Sequence, residues 1–309
     1  MDAALNHKPL KVALVALDLT EMDDQLIKYA AMMSRLLSLE KIFFAHIAKD
    51  LRLPEELLEK YPDLLGPLDE SIEVDIQKKI EEYFSGLEVE TKCIVQEGNP
   101  IDKILRLSKI KDVDVIFMGR KKSLEGSGIA SSGIARNCPC SLFLVTEDSK
   151  LKVEKVAVPI DFSNHSYLAI NVALEAQRKN AFEVSAVHVY GVPLGYHKTG
   201  KSYAEFSQIM KLHAQNDFRH FLEKGCFSAD ITCEYVLTDE GKYADLVYEY
   251  AENNEIDLIV LGSKGRTPVS SILIGSVAEK LAYIDSHIPV LIVKSKGENM
   301  GFLDALFNI

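Results

Sequence analysis

Short apolar runs alternate with longer amphipathic stretches along this chain, most clearly in its second half. Runs of nearly continuous apolar residues are typical of parallel strands that are buried on both faces. Strands are predicted at EKVAVPID, FEVSAVHVY, DITCEYVLT, IDLIVLG and PVLIVK. The amphipathic stretches between them predict helices over residues 164–179, 203–224 and 242–253 and after Gly275. Alternating strands and helices predict βαβ units around a parallel sheet.

The first half of the chain repeats the same order, with strands predicted at KVALVALD, KIFFAHI, EVETKCIVQ, DVIFMG and CSLFLVT. Equivalent residues recur 143 positions apart. We therefore predict two α/β domains, residues 1–150 and 151–309, each a Rossmann-like doubly wound sheet of five parallel strands with four helices. Ligands of such sheets bind at the carboxyl ends of the strands, near the point where the strand order reverses. The pairs that define the repeat are Asp18 and Asp161, Gly98 and Gly241, Asp114 and Asp257, and Gly119 and Gly262.

Composition and charge narrow the class of protein. With 47% hydrophobic residues in 309, the chain can form two cores, and its apolar runs are too short to span a bilayer. The N-terminal residues lack the pattern of a signal peptide, so we expect a cytoplasmic protein without a membrane partner. A net charge of −11 repels a phosphate backbone, so we expect no nucleic-acid partner.

The cysteines and two histidines are predicted to be structural. The odd number of cysteines and their place in or beside predicted strands and helix ends differ from a disulfide framework, and no second pair completes a metal site with Cys138 and Cys140. His46 and His188 each end a second strand without converging ligands, so no metal site is predicted there.

A glycine-containing loop follows the fourth predicted strand of the second copy. In GSKGRTPVSSILIGSVAEKL, Gly262, Gly265 and Gly275 punctuate a loop that leads into a helix. Glycine backbone can turn sharply and approach phosphate oxygens closely, and a helix N-terminus adds amides and a favourable dipole. A loop without a ligand fits the same pattern, because glycines after strands are common. The loop also offers a hydroxyl from Ser276 and a cation from Lys264 or Arg266.

This spacing resembles the universal stress protein (UspA-like) family, whose nucleotide-binding members carry G-x2-G-x9-G-[ST] after the fourth strand. The second copy matches at every position, and the resemblance extends to VPIDFS, His188-Val189 and IPVLIVK and covers both halves of the chain. It implies that ATP, or AMP or ADP, is the ligand, with Mg²⁺ as a further candidate. The implied contacts are Pro159, Asp161, Ser163 and Val189 for adenine and ribose, and Gly262, Gly265, Gly275 and Ser276 for phosphates, with Lys264 and Val277 beside them. A helix cap is the alternative role for Asp161.

The first copy departs from this spacing. Six residues separate Gly119 from Gly126, whereas twelve separate Gly262 from Gly275. Lys122 stands where the second glycine would lie, and a residue with a Cβ resists positive φ angles. We therefore expect that the first copy does not bind ATP in the family manner.

A second motif competes with the glycine loop. Residues 195–202, GYHKTGKS, fit the P-loop pattern G-x-x-x-x-G-K-[ST] and lie between a predicted strand and a predicted helix. The segment follows the second strand of its copy, no magnesium-binding strand follows it, and the first copy has no counterpart. An accessory anion contact from Lys198 or Lys201 is the more economical interpretation.

The predicted function is nucleotide binding in the second copy, with occupancy signalled through contacts with a protein partner that the sequence does not identify. The resemblance also implies pairing through the final strands, as an internal pseudo-dimer or a homodimer. Enzymatic activity is not predicted, since no nucleophile and base are recognisable by spacing, although weak ATPase activity stays open. The alternatives are an ATP-hydrolysing or adenylate-transferring enzyme and a nucleotide-independent interaction protein. The apolar tail, with Phe302 and Leu306, is predicted to dock on its own domain.

Overall fold

The computed structural model describes residues 8–51, 68–120, 128–227, 230–239, 241–265, 274–284 and 286–296. They form two compact units, one of residues 10–151 with Lys296 and one of residues 152–295 with Pro9. The C-terminal tail, Arg266 and the Lys122 region of the first loop lie outside the described residues. Among the helices described, none is long and apolar enough to cross a membrane.

The first unit is a five-stranded sheet with helices between its strands. The strand order is β3-β2-β1-β4-β5, and all neighbouring pairs are parallel. In chain order its elements are β1 (Val12–Leu17), α1 (Met22–Leu37), β2 (Lys41–Ala48), α2 (Leu68–Phe84), β3 (Glu90–Glu97), α3 (Pro100–Ile110), β4 (Val115–Arg120), α4 (Gly128–Asn137) and β5 (Ser141–Thr146).

The second unit repeats this arrangement with the order β8-β7-β6-β9-β10, again parallel throughout. The predicted fold class, two doubly wound sheets of five strands with four α-helices each in the described residues, is confirmed. A short 3-10 helix, Tyr196–Thr199, is an addition of this unit. Its other elements are β6 (Lys155–Pro159), α5 (Asn164–Gln177), β7 (Glu183–Gly191), α6 (Tyr203–Gly225), β8 (Thr232–Thr238), α7 (Tyr243–Asn253), β9 (Leu258–Gly262), α8 (Ser276–Tyr283) and β10 (Val290–Val293).

Helix starts follow their local sequence. Asn99 accepts hydrogen bonds from two backbone amides at the start of α3, and Pro100 follows at the position where a missing N–H costs nothing. Ser163 caps α5. Ser202 and Glu205 form a reciprocal capping box at the start of α6, which satisfies two backbone donors. Side-chain caps thus mark the starts of α5 and α6, which agree with the predicted starts at residues 164 and 203.

One aspartate of the repeat links two strands of the sheet in each unit. The Asp114 Oδ2 atom accepts hydrogen bonds from the backbone N–H groups of Lys11 and Val12, at 2.9 Å each. Asp257 Oδ2 makes the equivalent bonds at 2.9 and 3.2 Å. Each carboxylate thereby joins the start of the fourth strand to the start of the first. The repeat at these positions therefore has a structural cause.

The cores explain the apolar strands. Phe117 of β4 stacks on Phe143 of β5 with ring centroids 4.8 Å apart, and both rings are fully buried. All five cysteines are thiols, and Cys138 and Cys140 are buried where α4 leads into β5. The Sγ of Cys138 lies 3.2 Å from the carbonyl oxygen of Cys140. The structure thus supports a packing role for this pair.

Candidate functional site

A crevice opens in the second unit where the strand order reverses, between β6 and β9. The two strands pair only at Val156 with Leu258 and at Ala157 with Ile259. In the first unit, β1 pairs with β4 over Ala13–Ala16. Pro159 follows in β6, and proline has no N–H with which to continue a ladder. Separated strand ends at the switch point of a doubly wound sheet are where such folds bind ligands.

A cavity of about 530 Å³ lies at this crevice. The ends of β6, β7 and β9 and the first turn of α8 contribute to its wall. All the contact residues predicted from the sequence line the cavity except Ser163. The residues brought together are Pro159, Asp161, Val189, Gly262, Lys264, Gly265, Gly275, Ser276 and Val277. Their contacts with a ligand stay a prediction.

The glycines of the loop are required by close approach rather than by positive φ. Gly262, Gly265 and Gly275 all lie outside the left-handed region. A Cβ on Gly262 would lie 2.7 Å from the backbone carbonyl carbon and oxygen of His165 in α5, and a Cβ on Gly265 would lie 2.8 Å from Asp161 Oδ2. None of the three positions therefore needs glycine for a positive φ, whereas a side chain at Gly262 would meet the backbone of α5 and one at Gly265 would meet the Asp161 carboxylate.

The first turn of α8 presents backbone amides to the cavity. Gly275 precedes the helix in an extended conformation, and no side chain of the described residues caps the helix. The Gly275 N–H donates to the carbonyl oxygen of Ser263 at 2.6 Å, which fixes the loop against the helix start. The next three residues, Ser276, Val277 and Ala278, line the cavity. Uncapped amides and the helix dipole together favour an anion at this end.

Asp161 belongs to a hydrogen-bonded turn and also faces the cavity. Its Oδ1 accepts from the Ser163 N–H at 3.0 Å and from the Ser166 hydroxyl at 2.7 Å. The capping residue of α5 is Ser163, whose Oγ accepts from the Ser166 N–H at 3.3 Å. The alternative role of Asp161 as the helix cap is therefore wrong. Ser163 acts on the helix, outside the cavity wall, and its contact with a nucleotide stays a prediction.

Both histidines hold the first strand of their unit to the second. His188 Nδ1 lies 2.9 Å from the Ile160 carbonyl oxygen, and His46 Nδ1 lies 3.1 Å from that of Leu17. Since a carbonyl oxygen only accepts, each Nδ1 carries the proton in these contacts. The His188 ring packs on Phe162, centroid to centroid 4.4 Å, where Phe162 has a φ of +64°. These contacts support the structural interpretation of the histidines.

Several wall residues were missed by sequence reasoning. Tyr190 and Gly191 end β7, Met210 comes from α6, and Tyr243 and Val247 come from α7. These residues are mainly apolar and belong to no recognisable sequence motif. Only the packing of helices against strand ends brings them to the cavity. Ser263, inside the recognised loop, was also missed, although its place between Gly262 and Lys264 was a usable signal.

The P-loop-like segment does not form a phosphate cradle. Residues Tyr196–Thr199 form a 3-10 helix, and Gly200 follows with a φ of +72°. The Ser202 hydroxyl, which would bind magnesium in a P-loop, donates to Glu205 Oε2 at 2.7 Å and accepts the Glu205 N–H. The local pattern is thus used to cap α6, and the structure argues against the P-loop interpretation.

The turn after β1 in the first unit carries an additional carboxyl group. Asp23 is the residue of the first unit that is equivalent to Ser166 in the repeat. Its two carboxyl oxygens accept hydrogen bonds from the N–H groups of Asp18 and Leu19 at 3.1 and 2.8 Å. Asp23 is 5% exposed, and burial, opposed by these hydrogen bonds, raises the pKa of its carboxyl to about 6. The first unit therefore brings two carboxyl groups together where the second unit has one.

The raised pKa of Asp23 makes the first unit less stable as pH rises. Folded Asp23 binds its proton more tightly than the unfolded chain does, so its contribution is fully present below pH 4 and is lost as pH rises through about 6. In the unmodified chain, Asp23 is expected to lower the free energy of unfolding by on the order of 2 kcal/mol between pH 4 and pH 7. We expect this decrease to be absent in Asp23→Asn, as measured by urea unfolding followed by circular dichroism. Asp24→Asn is the control, because Lys28 lowers the pKa of Asp24 and that slope has the opposite sign. An unchanged slope in Asp23→Asn would contradict the assignment.

The chain is similar in sequence to known proteins. The sequence profile of the universal stress protein family matches residues 9–146 and again 152–294. Universal stress protein MJ0531 of Methanocaldococcus jannaschii is 32% identical over 144 residues, which are 46% of this chain and 82% of that protein. Universal stress protein MJ0577 of the same organism is 27% identical and matches 46% of this chain and 96% of its own length.

A similar fold has been solved for a universal stress protein from Archaeoglobus fulgidus. That structure covers 94% of this chain and 98% of its own, with a TM-score of 0.60 and 16% identity. At this identity, the likeness establishes the fold alone. The two profile matches cover most of the sequence and fall on the two units described above. The chain therefore belongs to the universal stress protein family and carries two copies of its domain in tandem.

Proposed function

We propose that the second copy binds an adenine nucleotide, ATP, ADP or AMP, in the cavity between β6 and β9. The single observation that carries the proposal is the convergence of an apolar wall, a carboxylate and the uncapped amides of α8 on one cavity. Its volume of about 530 Å³ falls within the roughly 300–1,000 Å³ typical of small-molecule sites. The intact glycine spacing favours this ligand class over a vestigial loop.

Each part of the nucleotide has a complementary group in the wall. The apolar residues, among them Val189 and Met210, suit an adenine ring, and Asp161 suits a ribose hydroxyl because an ionised carboxylate is a strong acceptor. The amides that begin α8 and the ammonium group of Lys264 suit phosphates. Mg²⁺ would enter with the phosphates and keep most of its water ligands, as it commonly does in nucleotide sites.

We propose that the first copy does not bind nucleotide, for two reasons. Its glycine loop is shorter, as the spacing from Gly119 to Gly126 shows. The turn after its first strand also carries Asp23 beside Asp18, and a second carboxylate repels anionic phosphates when it ionises near neutral pH. The two reasons are independent, because one concerns the loop and the other the turn after the first strand.

Occupancy is proposed to act through protein contacts rather than through turnover. In the described wall, the carboxylate is that of Asp161, whose Oδ1 already accepts from Ser163 and Ser166, so it is a poor candidate for activating water. A fold that hosts nucleotide chemistry elsewhere does not by itself supply a catalyst. A nucleotide-dependent partner is the simpler consequence of a binding module.

The first experiment is the stoichiometry of bound nucleotide. We expect native mass spectrometry of the purified full chain and titration with ATP, ADP and AMP to give about one nucleotide per chain, because only the second copy combines an intact loop with a single carboxylate. Two nucleotides per chain would contradict the proposal that the first copy does not bind nucleotide. No binding of any of the three would overturn the proposal and favour a nucleotide-independent interaction protein.

A turnover assay separates the binding module from the enzyme. Purified protein is incubated with ATP and Mg²⁺, and ADP, AMP and phosphate release are followed under steady-state conditions. Sustained product release by the unmodified chain, absent from a variant that no longer binds nucleotide, would replace the binding proposal with an enzymatic one.

A further inference from the structure

Ser263 has a buried hydroxyl that lacks a hydrogen-bond partner among the described residues. The residue follows Gly262 at the end of β9 and is 0% exposed. Both of its backbone groups are used, since its N–H donates to the Val293 carbonyl oxygen at 2.9 Å and its own carbonyl oxygen accepts from Gly275. Its Oγ makes no hydrogen bond to any part of the chain that the structure describes. The backbone of this residue is therefore fully satisfied while its side chain is not.

An unsatisfied buried hydroxyl costs stability. A buried hydroxyl that loses its bonds to water and gains none in the protein is unfavourable, and an alanine of nearly the same size would avoid this penalty. The neighbouring serine of the site, Ser166, shows the usual solution, because its hydroxyl donates to Asp161 Oδ1 at 2.7 Å and accepts from the Asp161 N–H at 3.0 Å. Ser263 thus differs from a serine that serves the fold alone.

The position of Ser263 points to the anion end of the cavity. The residue lies in the wall beside Gly262 and Lys264, and it is bonded through its backbone to the residue that starts α8. Rotation about a single side-chain torsion changes the direction of its hydroxyl. In the first copy the residue at the same 143-residue offset is Arg120, which has no hydroxyl.

We propose that the Ser263 hydroxyl donates a hydrogen bond to a phosphate oxygen of the nucleotide bound in the second copy. The hydroxyl is retained because the ligand, not the folded chain, satisfies it. This inference rests on the proposed function and adds a residue to it. It also explains why the binding end of the cavity includes a group that reduces the stability of the free protein.

The test is Ser263→Ala in the full chain, with ADP and adenosine as probes in calorimetric titrations and a thermal melt of the nucleotide-free protein. A hydrogen bond to a charged phosphate is worth about 1.5 kcal/mol, so ADP is expected to bind roughly 10-fold more weakly. Adenosine, which lacks phosphate, is expected to bind as it does to the unmodified chain. The melting temperature without nucleotide is expected to stay the same or rise.

Ser166→Ala is the matched control, because it removes a hydroxyl that orders Asp161. It is expected to weaken ADP and adenosine alike and to lower the melting temperature. Ser263→Cys, with a weaker donor of similar size, is expected to bind ADP with intermediate affinity.

Three results would overturn the role of Ser263. They are unchanged ADP affinity in Ser263→Ala, an equal loss for ADP and adenosine, and a clearly lower melting temperature of the free variant. Failure of the unmodified chain to bind any adenine nucleotide would instead overturn the proposed function itself.

Discussion

Replacing Gly265 with valine is expected to abolish nucleotide binding while the protein stays folded. A Cβ at this position would lie 2.8 Å from Asp161 Oδ2, so valine would occupy the space between the loop and the carboxylate proposed to bind ribose. The φ of Gly265 lies outside the left-handed region, so the backbone tolerates a side chain without strain. We expect at least about a 100-fold loss of affinity, or about 3 kcal/mol, in calorimetric titration with ADP.

The control for this variant is Gly195→Val. Gly195 lies in the second copy, has a φ of −87°, and has nothing within 4 Å of a Cβ built on it. The Gly195→Val variant therefore carries the same chemical change without filling the cavity, and it should bind ADP with the affinity of the unmodified chain. Gly265→Ala should give an intermediate loss. Normal ADP affinity in Gly265→Val, with an unchanged circular dichroism spectrum, would remove this loop from the binding site.

Replacing Gly262 with alanine is expected to destabilise the second unit more than the equivalent change destabilises the first. A Cβ at Gly262 would come within 2.7 Å of the backbone of His165, so α5 would have to move away from β9. At the equivalent Gly119, the clash is with the Met22 side chain, whose Cγ would lie 2.6 Å away. A methionine side chain can adopt another rotamer, whereas the backbone of a packed helix cannot shift alone.

We expect a loss of about 3 kcal/mol for Gly262→Ala and about 1 kcal/mol for Gly119→Ala. Because a chain of two units need not unfold in one step, the thermal melt is combined with hydrogen exchange, which shows which unit has opened. The loss should appear in α5 and β9 for Gly262→Ala and in α1 and β4 for Gly119→Ala. Equal losses for the two variants would show that α5 adjusts as easily as the Met22 side chain.

Sequence reasoning succeeded wherever a signal is local. The alternation of apolar runs with amphipathic stretches depends on residues a few positions apart, and it predicted the ten strands and the tandem repeat. The predicted starts of α5 and α6, at residues 164 and 203, agree with the structure, where Ser163 and Ser202 cap these helices. At residues 195–202, where the sequence already weighed against a P-loop, the structure has a turn followed by a helix cap.

Contacts between residues far apart in the chain were not predictable in this way. Met210 and Tyr243 reach the cavity only because α6 and α7 pack where they do. Likewise, a single sequence gives no sign that the Asp23 side chain is buried, and its raised pKa arises from that burial. The requirement for glycine at position 265 follows from Asp161, more than a hundred residues earlier.

By itself, the sequence determined the two-copy architecture, the parallel sheets and the position of the glycine loop. These features depend on periodicity and on spacing along the chain, which any folded form must satisfy. Only the tertiary structure decided why the glycines are needed, which residues complete the cavity, and that the Ser263 hydroxyl lies buried without a partner in the described chain. Steric exclusion and burial are properties of atoms brought together by folding, so they have no counterpart in the order of residues alone.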